Sequence, residues 1–280
     1  MEGSLLQYQF VLKGLLGALF ASITAGLAGT YIVSRRMVFL SGGITHASFG
    51  GIGIGYFAGI NPVIGAAVFG VLSALGVEYL SVTQKIREDS AIGILWAFGM
   101  ATGIIFIYLT PGYTPNLMGY LFGSILTVTN ADIIALGVMA VILILYFGIF
   151  YRTILYISYD EEYARTYSSH VNLFKYITTS LIALTIVLNI RMAGVILVLS
   201  LLTIPPNIAM IFTKKYHEII FWSVIAGFAG TAAGYVISYF AKIPVGATII
   251  FTLVVIWVIA KGIYRIAAGG IKRKVVKQNT

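Results

Sequence analysis

His46 is the residue of this 280-residue chain best suited to chemistry and least suited to its surroundings. It lies in "SRRMVFLSGGITHASFGGIGIGYFAGINP", residues 34–62, a run of apolar residues and glycines between two arginines and an Asn-Pro turn. A helix starting near Met37 carries His46 roughly 13–14 Å from its inner end, at about 1.5 Å per residue. A bilayer core is about 30 Å thick, so the imidazole falls near the midplane. A charged side chain at that depth costs about 3 kcal/mol or more. The ring is therefore expected to be neutral, and either hydrogen-bonded to a neighbouring helix or bound to a ligand such as a metal ion. Gly42, Gly43, Gly50, Gly51, Gly53 and Gly55 flank it. They allow close approach of another helix or of a permeating solute.

Two other polar features interrupt the apolar background. The segment "RTILYISYDEEYARTYSSHVNLFK", residues 152–175, is the longest polar break inside the chain. Asp160, Glu161 and Glu162 followed by Arg165 suit the dipole of a short helix, which Ser158 could cap. It reads either as a solvated connector or as a docking helix whose anchors are Tyr159, Tyr163 and Tyr167. In "LNIRMAGVILVLSLLTIPPNIAMIF", residues 188–212, Pro205 and Pro206 sit inside an apolar run. They imply either a kink for packing or a broken helix beside a pathway.

The elements that position these residues must be membrane helices. The chain is 59% hydrophobic and 10% charged, with mean hydropathy +0.98, whereas soluble domains carry about 25% charged residues. Apolar runs place nine spans at roughly 9–33, 38–60, 62–82, 90–110, 131–150, 172–189, 193–212, 218–240 and 244–265. The first is a retained helix rather than a signal peptide: Glu2 replaces a basic n-region, and Leu15–Val33 is longer than a signal core. With the N-terminus outside, only Lys13, Arg191 and Lys242 of the 18 basic residues lie outside, leaving 15 inside. The net charge of +9 thus reflects topology, not nucleic-acid binding. The tail "KRKVVK" is expected on the anionic inner leaflet. Residues 111–130, "PGYTPNLMGYLFGSILTVTN", are expected to form an outer loop with a short half-inserted helix.

Several classes are excluded or disfavoured. The absence of cysteine removes disulfides, thiolate metal ligands and a thiol nucleophile. No "GxxxxGK[ST]" loop is present, so ATP hydrolysis by the usual P-loop route must come from a partner. A self-contained secondary transporter or channel usually carries intramembrane acids. Here the acids lie at the edges, the deepest being Glu78 near the inner interface.

Five segments, in order, resemble the membrane subunit of the zinc/manganese/iron-type ABC importers. They are the His46 stretch, "REDSAIGI" (87–94), "LMGYLFGS" (117–124), "YDEEYAR" (159–165) and "GVILVLSLLTIPPNIA" (194–209). The likeness runs from about residue 8 to 265. It implies an all-α polytopic membrane protein, one permease domain over 1–280, similar to the cobalamin-type (type II) importer fold. A coupling loop at about 152–172 and a cytoplasmic tail at 266–280 complete it. It also implies a prokaryotic plasma membrane location and three protein partners: a cytoplasmic ATP-binding subunit, an extracytoplasmic metal-binding protein and a second permease copy. A divalent metal would be cargo rather than resident cofactor. His46 would contact that metal, and Tyr159, Asp160, Glu162, Tyr163, Ala164 and Arg165 would couple to the ATPase. The family's aspartate four residues before the histidine falls at Gly42, and its acid after "LFG" falls at Ser124. Transit then relies on other groups, with Thr45, Ser48, Asn189 and Asn207 as candidates and Gly42 and Pro205 beside them. A permease for a metal chelate or another small solute is the alternative reading.

Overall fold

The computed structural model describes residues 9–112 and 128–278, with side chains placed over 12–112 and 128–267. The expected loop at 111–130, with Ser124, lies mostly outside the described residues. Those described fold into ten helices and no strand: α1 (Gln9–Ser34), α2 (Val38–Ala58), α3 (Pro62–Val82), α4 (Glu88–Leu109), α5 (Asn130–Ile149), α6 (Tyr151–Tyr159), α7 (Glu161–Tyr167), α8 (Val171–Phe212), α9 (Tyr216–Ala241) and α10 (Val245–Gln278). Seven of them are long and apolar enough to cross a membrane. α2 has a comparable 21 residues, but glycines, hydroxyls and His46 make it less apolar.

α8 explains the number of crossings. Its 42 residues would extend roughly 63 Å if straight, twice a bilayer core. Gly194 breaks it, with φ 78° and ψ 163°, a conformation open to glycine alone. The chain then reverses. Lys175 pairs with Glu78 at one end of the bundle, Met192 packs on Gly17 of α1, and Leu202 packs on Gly29 of α1. Position along α1 thus moves away from Arg35 and back again. The two halves of α8 form a hairpin; counted separately, and with α2 added to the six other long apolar helices, they give nine segments of crossing length among the described residues, the number the apolar runs predict.

Of the two readings left open at the prolines, a kink for packing or a broken helix, the break does not occur there. The helix continues through Pro205 and Pro206. Pro206 cannot donate to the Leu202 carbonyl, which instead lies so close to Gly29 that no Cβ would fit there.

α8 lies at the centre, against α1, α2, α3, α5, α9 and α10. Its fully buried Ile182, Ile186, Leu197 and Leu201 meet Tyr31 and Ile32 of α1 and Leu40 and Ile44 of α2. α2 packs closest on α3 and α4, because Gly51 faces Gly65 and Gly53 faces Gly103 with no space for side chains. The α2–α3 turn uses Gly59 at φ 68°, and Asn61 then caps α3 by accepting from Val63 N at 2.9 Å.

Candidate functional site

His46 stands on the wall of a cavity of about 300 Å3 enclosed by α2, α3, α4 and α8. Its ring stacks flat on Trp96 of α4, centroids 4.4 Å apart and planes 4° apart. Among the described residues the imidazole nitrogens have no hydrogen-bond partner. The walls are otherwise apolar, including Phe49, Ile52, Val63, Met100, Ile104 and Val187. The polar exceptions are Thr45, Ser48 and Arg191. Thr45 and Ser48 donate to the carbonyls of Ser41 (2.5 Å) and Ile44 (2.7 Å), one turn back. Their oxygens keep lone pairs for a ligand. Arg191 Nε donates to Asp132 Oδ1 at 3.1 Å, and Asp132 also closes a capping box with Thr129 at the start of α5. Among the described residues the cavity has no carboxylate in its lining.

The remaining pathway candidates separate from this cavity. Gly42 is buried, one turn from His46, and a Cβ there would meet only Leu199 Cδ1 at 3.4 Å. Asn189 is turned away: it is 1% exposed and donates to Thr24 Oγ1 at 3.1 Å and Thr185 O at 2.8 Å. Pro205 is buried against Gly227 of α9, and Asn207 is exposed and donates to Thr203 O at 2.8 Å. Of the proposed pathway residues, only His46, Thr45 and Ser48 share the cavity.

At the opposite end, α6 and α7 form a connector outside the long crossings. Asp160, not Ser158, caps α7, accepting from Tyr163 N at 3.0 Å. Ser158 is buried and donates to Ile154 O at 2.7 Å. Tyr159, Glu162, Tyr163 and Arg165 are exposed. Ala164 is not available to a partner as expected: it is 1% exposed, because three residues on from Glu161 it shares that residue's inward face.

Glu161 turns inward into a charge cluster that the sequence did not reveal. Its Oε2 lies 3.0 Å from Lys175 Nζ and 3.4 Å from Arg35 Nη2. Lys175 also reaches Glu78 Oε2 at 3.4 Å, and Arg35 reaches Glu78 at 3.9 Å and Glu88 at 3.5 Å. Thr179 donates to Glu78 Oε1 at 2.9 Å. Burial pushes the Glu161 carboxyl up, but the hydrogen bond and charge of Lys175, with Arg165 and Arg35, hold it below its ordinary value. Trp96 was likewise missed. Nothing in its local sequence marks it, since the stack depends on the crossing of α2 and α4. Lys175 carried a signal, because a lysine four residues into an apolar helix needs a buried partner.

Nine crossings around a cavity with one unpartnered imidazole, and an exposed aromatic and acidic connector at one end, define a multi-pass membrane transport protein. The chain belongs to the ABC 3 transport family, whose model matches residues 7–263. It is 32% identical over 260 residues to the manganese transport system membrane protein MntC of Listeria monocytogenes, covering 93% of this chain and 92% of that one. The structure of PsaBC from Streptococcus pneumoniae in complex with Fab superposes with TM-score 0.80 and 29% identity, covering 91% and 92%. An ABC transporter of metal-chelate type in an inward-facing conformation superposes with TM-score 0.71 at 16% identity, covering 89% and 84%, a likeness of fold.

Proposed function

We propose that this chain is the translocating subunit of an ATP-driven importer for a divalent metal ion, with His46 as the pathway contact. The observation that carries the reading is the His46 imidazole, held flat by Trp96 on a cavity wall with its nitrogens unpartnered. A polar group left open inside a membrane protein calls for a ligand. Membership of the ABC 3 transport family and the likeness to a manganese permease support the cargo class. The donor set favours a borderline cation. Imidazole suits Zn2+ or Fe2+, whereas Mn2+ prefers the carboxylates this cavity lacks. A second copy of the chain, sharing one pathway, would supply a second His46.

The exposed face of α6–α7, with Tyr159, Asp160, Glu162, Tyr163 and Arg165, is the surface for a cytoplasmic ATPase. That assignment places the Arg35 end, the C-terminal tail and most of the basic residues in the cytoplasm of a prokaryotic cell, and the Arg191 end outside, facing an extracytoplasmic metal-binding protein. ATP hydrolysis belongs to the ATPase.

Uptake of radioactive zinc by cells expressing the full transporter tests the reading. His46→Ala should abolish uptake while the ATPase still co-purifies; full uptake would refute His46 as the contact. Gly42→Asp, whose Cβ would meet only Leu199 Cδ1 at 3.4 Å, should retain zinc more tightly without faster transport, since permeation needs release as well as capture. The apolar lining and Arg191 favour one second reading, a metal chelate as cargo. Under it, His46→Ala would keep uptake of the chelated metal.

A further inference from the structure

The geometry points to Glu161, with Lys175 and Glu78, as the positioning element that carries movement of α7 to the helices lining the His46 cavity. This rests on the reading of α6–α7 as the ATPase contact, but concerns a residue whose carboxylate pairs with other helices of this chain.

Burying charge has a cost that pairing rarely exceeds, and well-packed apolar residues would hold helices together at least as firmly. Yet here the side chains of Glu78, Lys175 and Arg35 are 1%, 4% and 9% exposed. Such groups fit a role in fixing register, the best-attested use of buried ion pairs. Glu161 is the residue where the register meets the surface. Its Oε1 takes Arg165 on its own helix at 2.7 Å, and its Oε2 takes Lys175 of α8 and Arg35 at the end of α1. Both cations continue to Glu78 of α3. Displacing α7 must therefore break these pairs or drag α8 and α3 with it.

Those two helices reach the cavity. Val187 of α8 and Ala66 of α3 line it, each roughly 18 Å along its helix from Lys175 or Glu78. Helices transmit such motion as rigid bodies because packed interfaces switch rather than deform. The neighbouring acids cannot do this. Asp160 is occupied in capping α7, and Glu162 is exposed.

The test is distance measurement on the assembled permease–ATPase complex in proteoliposomes. The chain has no cysteine, so spin labels at Ile64→Cys and Leu188→Cys report the cavity ends of α3 and of the half of α8 that carries Lys175. Ile64 is 58% exposed and Leu188 is half-buried. Adding ATP should shift the label distances in the parent. In Glu161→Gln and Lys175→Met the shift should vanish while ATP hydrolysis continues, and cargo moved per ATP should fall about fivefold or more. Lys175→Arg, which keeps the charge, should preserve both. A mere structural staple would lower hydrolysis and transport together, leaving their ratio and the ATP-induced shift unchanged, and that result would overturn the proposal. So would a parent complex whose labels do not respond to ATP. Docking is read separately: Glu162→Lys should reduce co-purification of the ATPase, and its failure to do so would sink the docking surface, not the transmission.

Discussion

The His46 cavity and the Glu161–Lys175–Glu78–Arg35 cluster occupy opposite ends of the same two helices, α3 and α8, and are built from opposite materials. The cavity is mostly apolar, with one imidazole left unpartnered among the described residues, hydroxyls bonded to their own helix, and Arg191 paired with Asp132. The cluster is crowded with charge, and each of its carboxylates meets a cation. An open polar group among apolar walls is a place for something absent to bind. A set of costly charges paired across helices, in which Glu78 Oε2 still has no hydrogen-bond partner among the described residues, is a place for parts to be held in register. On the reading proposed above, the cargo belongs to one end and the mechanical linkage to the other.

The comparison breaks most sharply at the imidazole. His46→Ala should lower zinc uptake on the order of 100-fold or more, and Trp96→Ala, which frees the ring without removing it, roughly tenfold, the scale of lost ligand support. Equal losses from the two would mean that the stack, not the nitrogen, matters; the check is initial uptake rate at matched expression. Gly194→Ala should injure both ends at once, because the reversal of α8 places them. At a conformation restricted to glycine the strain is about 1–3 kcal/mol, to be read as a lower melting temperature of the purified complex. The smallest effect is at acid pH. The folded Glu161 carboxyl titrates below its ordinary 4.5, so its contribution is complete above about pH 4.5 and is lost as pH falls through the folded value. The difference in thermal stability between the parent and Glu161→Gln should hold steady from about pH 7 to 5 and shrink below 4.5.

Much of this was legible in the sequence. Nine crossings follow from apolar run length alone, and the break between 189 and 193 anticipated the hairpin at Gly194, one residue further on. His46, Thr45 and Ser48 were each named as candidates from one helix, which is local information, and the structure brings all three to one cavity. The misses are non-local. Asn189 looked free in the sequence but is claimed by Thr24 of α1. Glu161 could not be told from its neighbours until Asp160 was known to cap α7, since a shift of one residue turns a different acid inward. Ala164 was placed at the docking surface because the motif is contiguous, whereas a helix presents only part of its circumference. The prolines left a kink and a break both open, and the helix runs on through them, with the Leu202 carbonyl against Gly29.

The central claim is that His46 nitrogen touches the cargo. Zinc-edge X-ray absorption on the permease–ATPase complex, loaded with Zn2+ without the binding protein, tests it directly. The parent should show imidazole scattering from bound zinc, His46→Ala should lose it, and Gly42→Asp should add an oxygen ligand while keeping the imidazole signal. Zinc bound with the same imidazole signature in His46→Ala would contradict the assignment.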